Sequence, residues 1–184
     1  MATASLTPNN IRSLAQVKGY WEDEASVNGI WAGLLADAFP GSANFVLQPE
    51  GQGNEVSKKR NDILVRHIPD CTKDEQHARL AFEGKSSKSA DTMDTASAQL
   101  RDFLNATPKM SPNKKMWGIV AKGLAFRLFF FNDDKLDQLK IDINGKPSRG
   151  AGEYELGAAN KPGCVESVTA FLNFAKANPA WIIQ

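Results

Sequence analysis

The sequence predicts an α/β (α+β) domain in which a mixed central β-sheet is flanked by helices. Three observations predict it. Apolar residues recur at helical spacing in separate stretches, from Val27 to Ala38 and from Met93 to Leu104. Short apolar runs with strand character lie between and after them, bounded by Pro, Gly and Asn. The order is helix, strands, helix, strands, helix, with no internal repeat and no low-complexity tract.

The chain of 184 residues suits one domain, taken as 1–184 with its core over about 20–180. Hydrophobic content of 42% and charged content of 23% are ordinary for a globular protein. A net charge of +1 argues against a broad polyanion-binding surface but leaves room for a local basic patch. Cys71 and Cys164 fit no metal spacing, and with only His67 and His77 beside them no Cys/His zinc cluster is expected. The first residues lack a basic region followed by an apolar one, and no apolar run is long enough to span a bilayer. The expected location is therefore intracellular, nuclear or cytoplasmic, with no membrane partner.

Residues 1 to about 20 are polar and weakly patterned, and read as a loose lead-in or a short first helix around Ile11–Val17. Glu22-Asp23-Glu24 then supplies the negative charge that suits a helix N-terminus. Val27, Ile30, Trp31, Leu34, Leu35 and Ala38 form the apolar stripe that follows, and Pro40-Gly41 ends it. Glu24 and Asn28 border that stripe, and the plain reading of Glu24 is a charged first turn. Phe45–Leu47 is expected as a short strand and Pro49–Asn54 as a Gly-rich loop. Lys58-Lys59-Arg60 is a basic run just before Asp62.

Ile63–Ile68 is the next strand, with Ile63, Val65 and His67 on one face and Leu64, Arg66 and Ile68 on the other. Pro69–Gln76 is a turn or loop, and His77–Glu83 the strand that returns from it. Asp91–Ala106 is a helix burying Met93, Ala96, Leu100, Phe103 and Leu104, with Gln99 flanking that face. Met116–Ala121 and Leu124–Phe131 are strands joined by a tight turn at Lys122-Gly123. Leu128–Phe131 has no alternation, which suits a strand covered on both sides. Gln138–Ile143 is a further strand, Lys146–Gly152 a flexible loop and Tyr154–Leu156 a short edge piece. A last helix carries Val165, Val168, Leu172 and Ala175.

The chemistry concentrates at Glu83-Gly84-Lys85. Residues i and i+2 of a strand share a face, so the glutamate and the lysine project side by side. Centring the hairpin loop near residues 72 and 73 makes opposed positions sum to about 145. Asp62 then falls opposite Glu83, with Lys85 just beyond, while Asp70 and Asp74 lie at the other end. That geometry rejects the literal Pro69-Asp70 in favour of Asp62. Two carboxylates beside an ammonium suit a hard divalent cation, because Mg²⁺ takes oxygen ligands and keeps several waters. Such an ion polarises a phosphodiester and helps generate hydroxide, and Lys85 could orient water or stabilise developing charge. Glu24 is a candidate outer acid, and Lys58, Lys59, Arg60 and Lys88 could hold a phosphate backbone. The triplet by itself is weak: composition produces one acid-x-Lys in a chain of this size, and Asp133-Asp134-Lys135 is a second.

The order Glu24-x-x-x-Asn28, Lys59-Arg60 before Asp62, Glu83-Gly84-Lys85 and Ala96-Ser97-Ala98-Gln99-Leu100 resembles the PD-(D/E)xK nuclease-like superfamily, and is especially similar to its fungal nuclease-like domains. The resemblance covers roughly residues 20–180. It implies a restriction-endonuclease-like core with Mg²⁺ or Mn²⁺ held by Asp62 and Glu83. It also implies Lys85 as the catalytic lysine, Glu24 as an accessory acid, and Gln99 as a supporting or backbone-contacting residue beside Asn28. Asn61, not Pro, precedes Asp62, a departure that many members share. The function implied is a metal-dependent nuclease acting on DNA ahead of RNA, and members of such folds often work as homodimers. The alternatives are a catalytically inactive nuclease-fold interaction module or toxin/effector-like protein, and a plain scaffold with Glu83 and Lys85 as surface charges.

Overall fold

The computed structural model describes residues 7–52, 60–70, 72, 76–107 and 114–181. Thr7 accepts a hydrogen bond from the Asn10 N–H at 3.3 Å and Pro8 begins the first turn, so helix α1 runs Pro8–Ala15. A 3₁₀ turn at Tyr20–Glu22 leads to Asp23, whose carboxylate accepts from the Ser26 N–H at 3.1 Å and caps helix α2, Glu24–Ala38. Thr92 does the same for helix α3, Met93–Asn105, accepting from the Thr95 N–H at 3.1 Å. Helix α4 spans Val165–Ala177.

Among the described residues eight strands form one sheet: β1 Phe45–Gln52, β2 Arg60–His67, β3 His77–Lys85, β4 Lys115–Lys122, β5 Ala125–Asn132, β6 Lys135–Ile141, β7 Pro147–Arg149 and β8 Tyr154–Glu155. The spatial order is β1-β2-β3-β4-β5-β6-β7, with β8 pairing β5. Every neighbouring pair is antiparallel except β3 and β4, which are parallel and joined through α3. A parallel pair needs such a crossover, because no tight turn can return the chain to the same end.

Helices cover both faces. Ile63, Val65, Leu80, Phe82, Ile119 and Leu128 pack with Val27, Trp31, Leu34, Val168 and Phe171 on one side. Leu64, Ala81, Val120, Phe129 and Phe131 pack with Ala96, Leu100, Phe103 and Leu104 of α3 on the other. The strict alternation of partners along β5 explains why Leu128–Phe131 reads as a continuous apolar run. The face assignment expected for Ile63, Val65 and Leu64 holds.

Several boundaries differ from the sequence reading. Strand β1 continues to Gln52 instead of stopping at Leu47. It is an edge strand, where Pro49 can sit without costing the sheet a hydrogen bond. Strand β6 begins at Lys135, not Gln138, because Asp133 and Asp134 both adopt positive φ (47° and 72°) and close a two-residue hairpin turn. It ends at Ile141, where Asp142 accepts from the Asn144 and Lys146 N–H groups at 2.9 Å each. The stretch read as a loop after Lys146 contains β7.

Candidate functional site

Strand pairing builds the site. Ile63 pairs with Phe82, Leu64 with Ala81 and Val65 with Leu80, the register that sets Asp62 across from Glu83. A one-residue shift between Val65 and Arg66 absorbs the remaining mismatch toward the hairpin end. On the other side of β2, Pro49 pairs with Ile63 and Gly51 with Asn61, so Glu50 stands across from Asp62. Glu50 has a positive φ of 49°, uncommon for a residue with a side chain. Three neighbouring strands thus present Glu50, Asp62 and Glu83 in one row. Glu50 was missed in the sequence because Pro49–Asn54 reads as a loop; extending the strand would have supplied the signal.

The two central carboxylates are held differently. Asp62 Oδ2 accepts from the Gly84 N–H at 2.7 Å, and the Asn28 side chain also hydrogen-bonds this carboxylate. Burial pushes the Asp62 carboxyl above its ordinary range, while the Gly84 N–H, the Lys85 charge and Asn28 oppose that rise. Glu83 is only 6% exposed, and its Oε1 accepts from Lys85 Nζ at 2.7 Å. Burial, aided by the charges of Asp62 and Glu24, pushes Glu83 up to about 7 despite the Lys85 ammonium. Burial works against the charge on Lys85, but its hydrogen bond to Glu83 and the fields of Glu83, Glu24 and Asp62 carry it upward.

Two asparagines support the strand ends. Asn28, on α2, places its Oδ1 over Gly84, and that oxygen is buried without a hydrogen-bond partner. Asn61 is 2% exposed and its amide donates to the Ile63 carbonyl and, at 3.4 Å, to the Phe82 carbonyl. It therefore ties β2 to β3 beside the two carboxylates, in the position where the resemblance led us to look for proline. Trp31 of α2 stacks on Phe82 with centroids 5.4 Å apart, fixing the helix one residue from Glu83.

Glu24 is exposed in the first turn of α2, close enough for its charge to act on Glu83 and Lys85. With Asn28, Glu50 and Asp62 it lines a cleft of about 510 Å³ between α2 and the ends of β1 and β2. Lys88 is exposed and pairs with Glu22 at 2.6 Å. Gln99 is exposed on α3, and the cleft beside Asp62 is lined without it. Lys58 and Lys59 lie outside the described residues, and Arg60 begins β2. Lys122, beside Lys85 in the parallel register, donates to the Ser89 and Asp91 carbonyls at 2.9 and 2.8 Å and holds the segment that leaves β3.

Among the described residues no group of three or more His, Cys, Asp and Glu side chains is gathered closely enough to hold a metal ion by itself. The donors on offer are the Asp62 and Glu83 carboxylates, an all-oxygen set suited to a hard cation that keeps its own waters. Comparison with known proteins finds no matching family model, no matching curated protein and no matching solved structure.

Proposed function

We propose that the chain is a divalent-metal-dependent nuclease that hydrolyses phosphodiester bonds of nucleic acid, DNA ahead of RNA, on a restriction-endonuclease-like core of the PD-(D/E)xK type. One observation carries this reading: Asp62 and Glu83 face each other on paired strands, and Lys85 reaches the same point from the same strand as Glu83. An apolar strand end gains nothing in stability from three clustered, partly buried ionisable groups, so their convergence points to use.

Asp62 and Glu83 would hold Mg²⁺ or Mn²⁺, which when bound supplies charge neutralisation and Lewis acidity at the phosphate. The chain's own residues supply the rest. The Gly84 N–H and Asn28 orient Asp62 and favour its ionised form. Glu83 must lose a proton to act as a ligand, which its value of about 7 allows at slightly alkaline pH. Lys85 then passes from Glu83 to the reacting phosphate, where its ammonium orients the attacking water or stabilises charge on the phosphoryl oxygens. Water adds at phosphorus, the P–O ester bond breaks and the departing oxygen takes a proton. Glu24 would hold a water at the mouth of the cleft it lines, and the basic residues Lys58, Lys59, Arg60 and Lys88 would contact the strand's phosphates.

Incubating the protein with plasmid and Mg²⁺ or Mn²⁺ tests this. Asp62→Ala and Lys85→Ala should each lower cleavage by about a hundredfold or more while the fold persists. Equal cleavage by all three proteins, or none by the wild type across metals and pH, would overturn the assignment. A second reading, an inactive nuclease-fold interaction module or effector-like protein, draws on the engagement of Lys85 by Glu83 and on the absence of a three-carboxylate cluster among the described residues. Tight Mn²⁺ binding that depends on Glu83, read by calorimetry, would count against it.

A further inference from the structure

The hairpin end remote from Asp62 carries a second group of different chemistry. His67 and His77 are paired directly across β2 and β3, so their side chains lie on one face. Arg79 Nη2 approaches His67 Nδ1 at 3.4 Å. Phe45, the partner of His67 on β1, packs against the imidazole with centroids 4.7 Å apart. All three basic residues are only partly exposed, and His77 Nδ1 is buried without a hydrogen-bond partner.

Among the described residues no acid is paired with this group. Among the described residues the guanidinium of Arg79 has no carboxylate partner; its polar contact is the neighbouring imidazole. Arg66, beside His67 in the chain, pairs with Ala78 and so points to the opposite face, where it hydrogen-bonds Gln76 at 2.6 Å. Asp70, in the adjoining turn, accepts from the Thr72 N–H and hydroxyl at 2.9 and 2.6 Å. A half-buried guanidinium such as that of Arg79 ordinarily meets a carboxylate or a phosphate, because its lost hydration is otherwise uncompensated. Here burial, Arg79 and His77 together hold the His67 imidazole below its ordinary range.

We propose that His67, His77 and Arg79 bind a phosphate-type oxyanion at a site separate from Asp62, Glu83 and Lys85. The guanidinium fork and two imidazole N–H groups match the donor needs of a tetrahedral oxyanion. His67 lies five residues beyond Asp62 on β2, about 17 Å away at the rise of a strand, so one phosphate cannot occupy both. Free phosphate, a nucleotide's terminal phosphate and a strand's diester share this chemistry, and the test below separates them. An anion favours the imidazolium, so binding should tighten as pH falls from about 7.5 to 6.

NMR of the two imidazoles, titrated against pH in inorganic phosphate and in chloride at matched ionic strength, tests the site. His67 should titrate about 0.5–1 unit higher in phosphate than in chloride. Arg79→Gln should abolish that difference, and Arg79→Lys should keep part of it. His77→Gln, read at His67, should weaken it and serves as the second variant if Arg79→Gln does not fold. A difference that persists in Arg79→Gln, or no difference at all, would overturn the proposal. Repeating the titration with a nucleoside monophosphate and with a dinucleoside phosphodiester separates the sources: a response to the first alone assigns a terminal or free phosphate, and a response to both assigns the strand backbone.

Discussion

The Asn28 side chain occupies the space beside Gly84 where a Cβ would have to go, while its amide reaches Asp62. The residue between Glu83 and Lys85 is therefore dictated by a helix more than fifty positions earlier in the chain. Gly84→Ala should cost about 1–3 kcal/mol in urea unfolding, the usual penalty for overpacking a tight contact. Asn28→Ala makes room, so the double variant should be more stable than the two single losses added together predict. Strict additivity would show that the two residues do not meet.

The raised Glu83 carboxyl has a consequence for stability with a definite sign. Between about 4.5 and 7 the folded state holds a proton that the unfolded chain has released, so Glu83 takes stability away as pH rises through that window. Glu83→Gln removes the cost. Its unfolding free energy should match the wild type near pH 4.5, exceed it increasingly toward pH 7 and then run parallel, with a gap of about 3 kcal/mol at most. A gap that shrinks with rising pH would contradict the burial-dominated environment.

Lys85 opposes that burial, so deleting its charge should push Glu83 further up. In Lys85→Met the Glu83 carboxyl carbon, followed by NMR, should titrate about one unit or more above the wild type. An unchanged or lower midpoint would mean that the 2.7 Å pair does not persist in solution.

The scaffold beneath the site is ordinary core and should respond as core. Phe82 is fully buried against Trp31, and Phe82→Ala should lose about 3–5 kcal/mol of stability measured by denaturant. A loss below about 1 kcal/mol would indicate that α2 is not anchored to β3 through this contact.

Periodicity was enough to find α2, α3, β2 and β3, because each is long and has a one-sided or two-sided apolar pattern. The Asp62–Glu83 opposition followed from counting along one hairpin, a local quantity. What escaped was non-local. Pro49 and the glycines of residues 51 and 53 disguise the far half of β1, which exists because β2 offers it an edge, and with it went Glu50. Asn61 could be noted only as a missing proline; its role as a clamp on the Phe82 carbonyl depends on β3 lying alongside. Gln99 sits in a helix pattern that the chain does form, yet nothing in that pattern says whether its side chain faces the carboxylates, and it is exposed.

The most direct test is a crystal soaked in Mn²⁺ at about pH 8 and read by anomalous scattering. The account predicts an ion bonded to both Asp62 and Glu83, with Lys85 Nζ released from Glu83. An empty position between the two carboxylates at saturating Mn²⁺, with the Lys85–Glu83 pair intact, would contradict it.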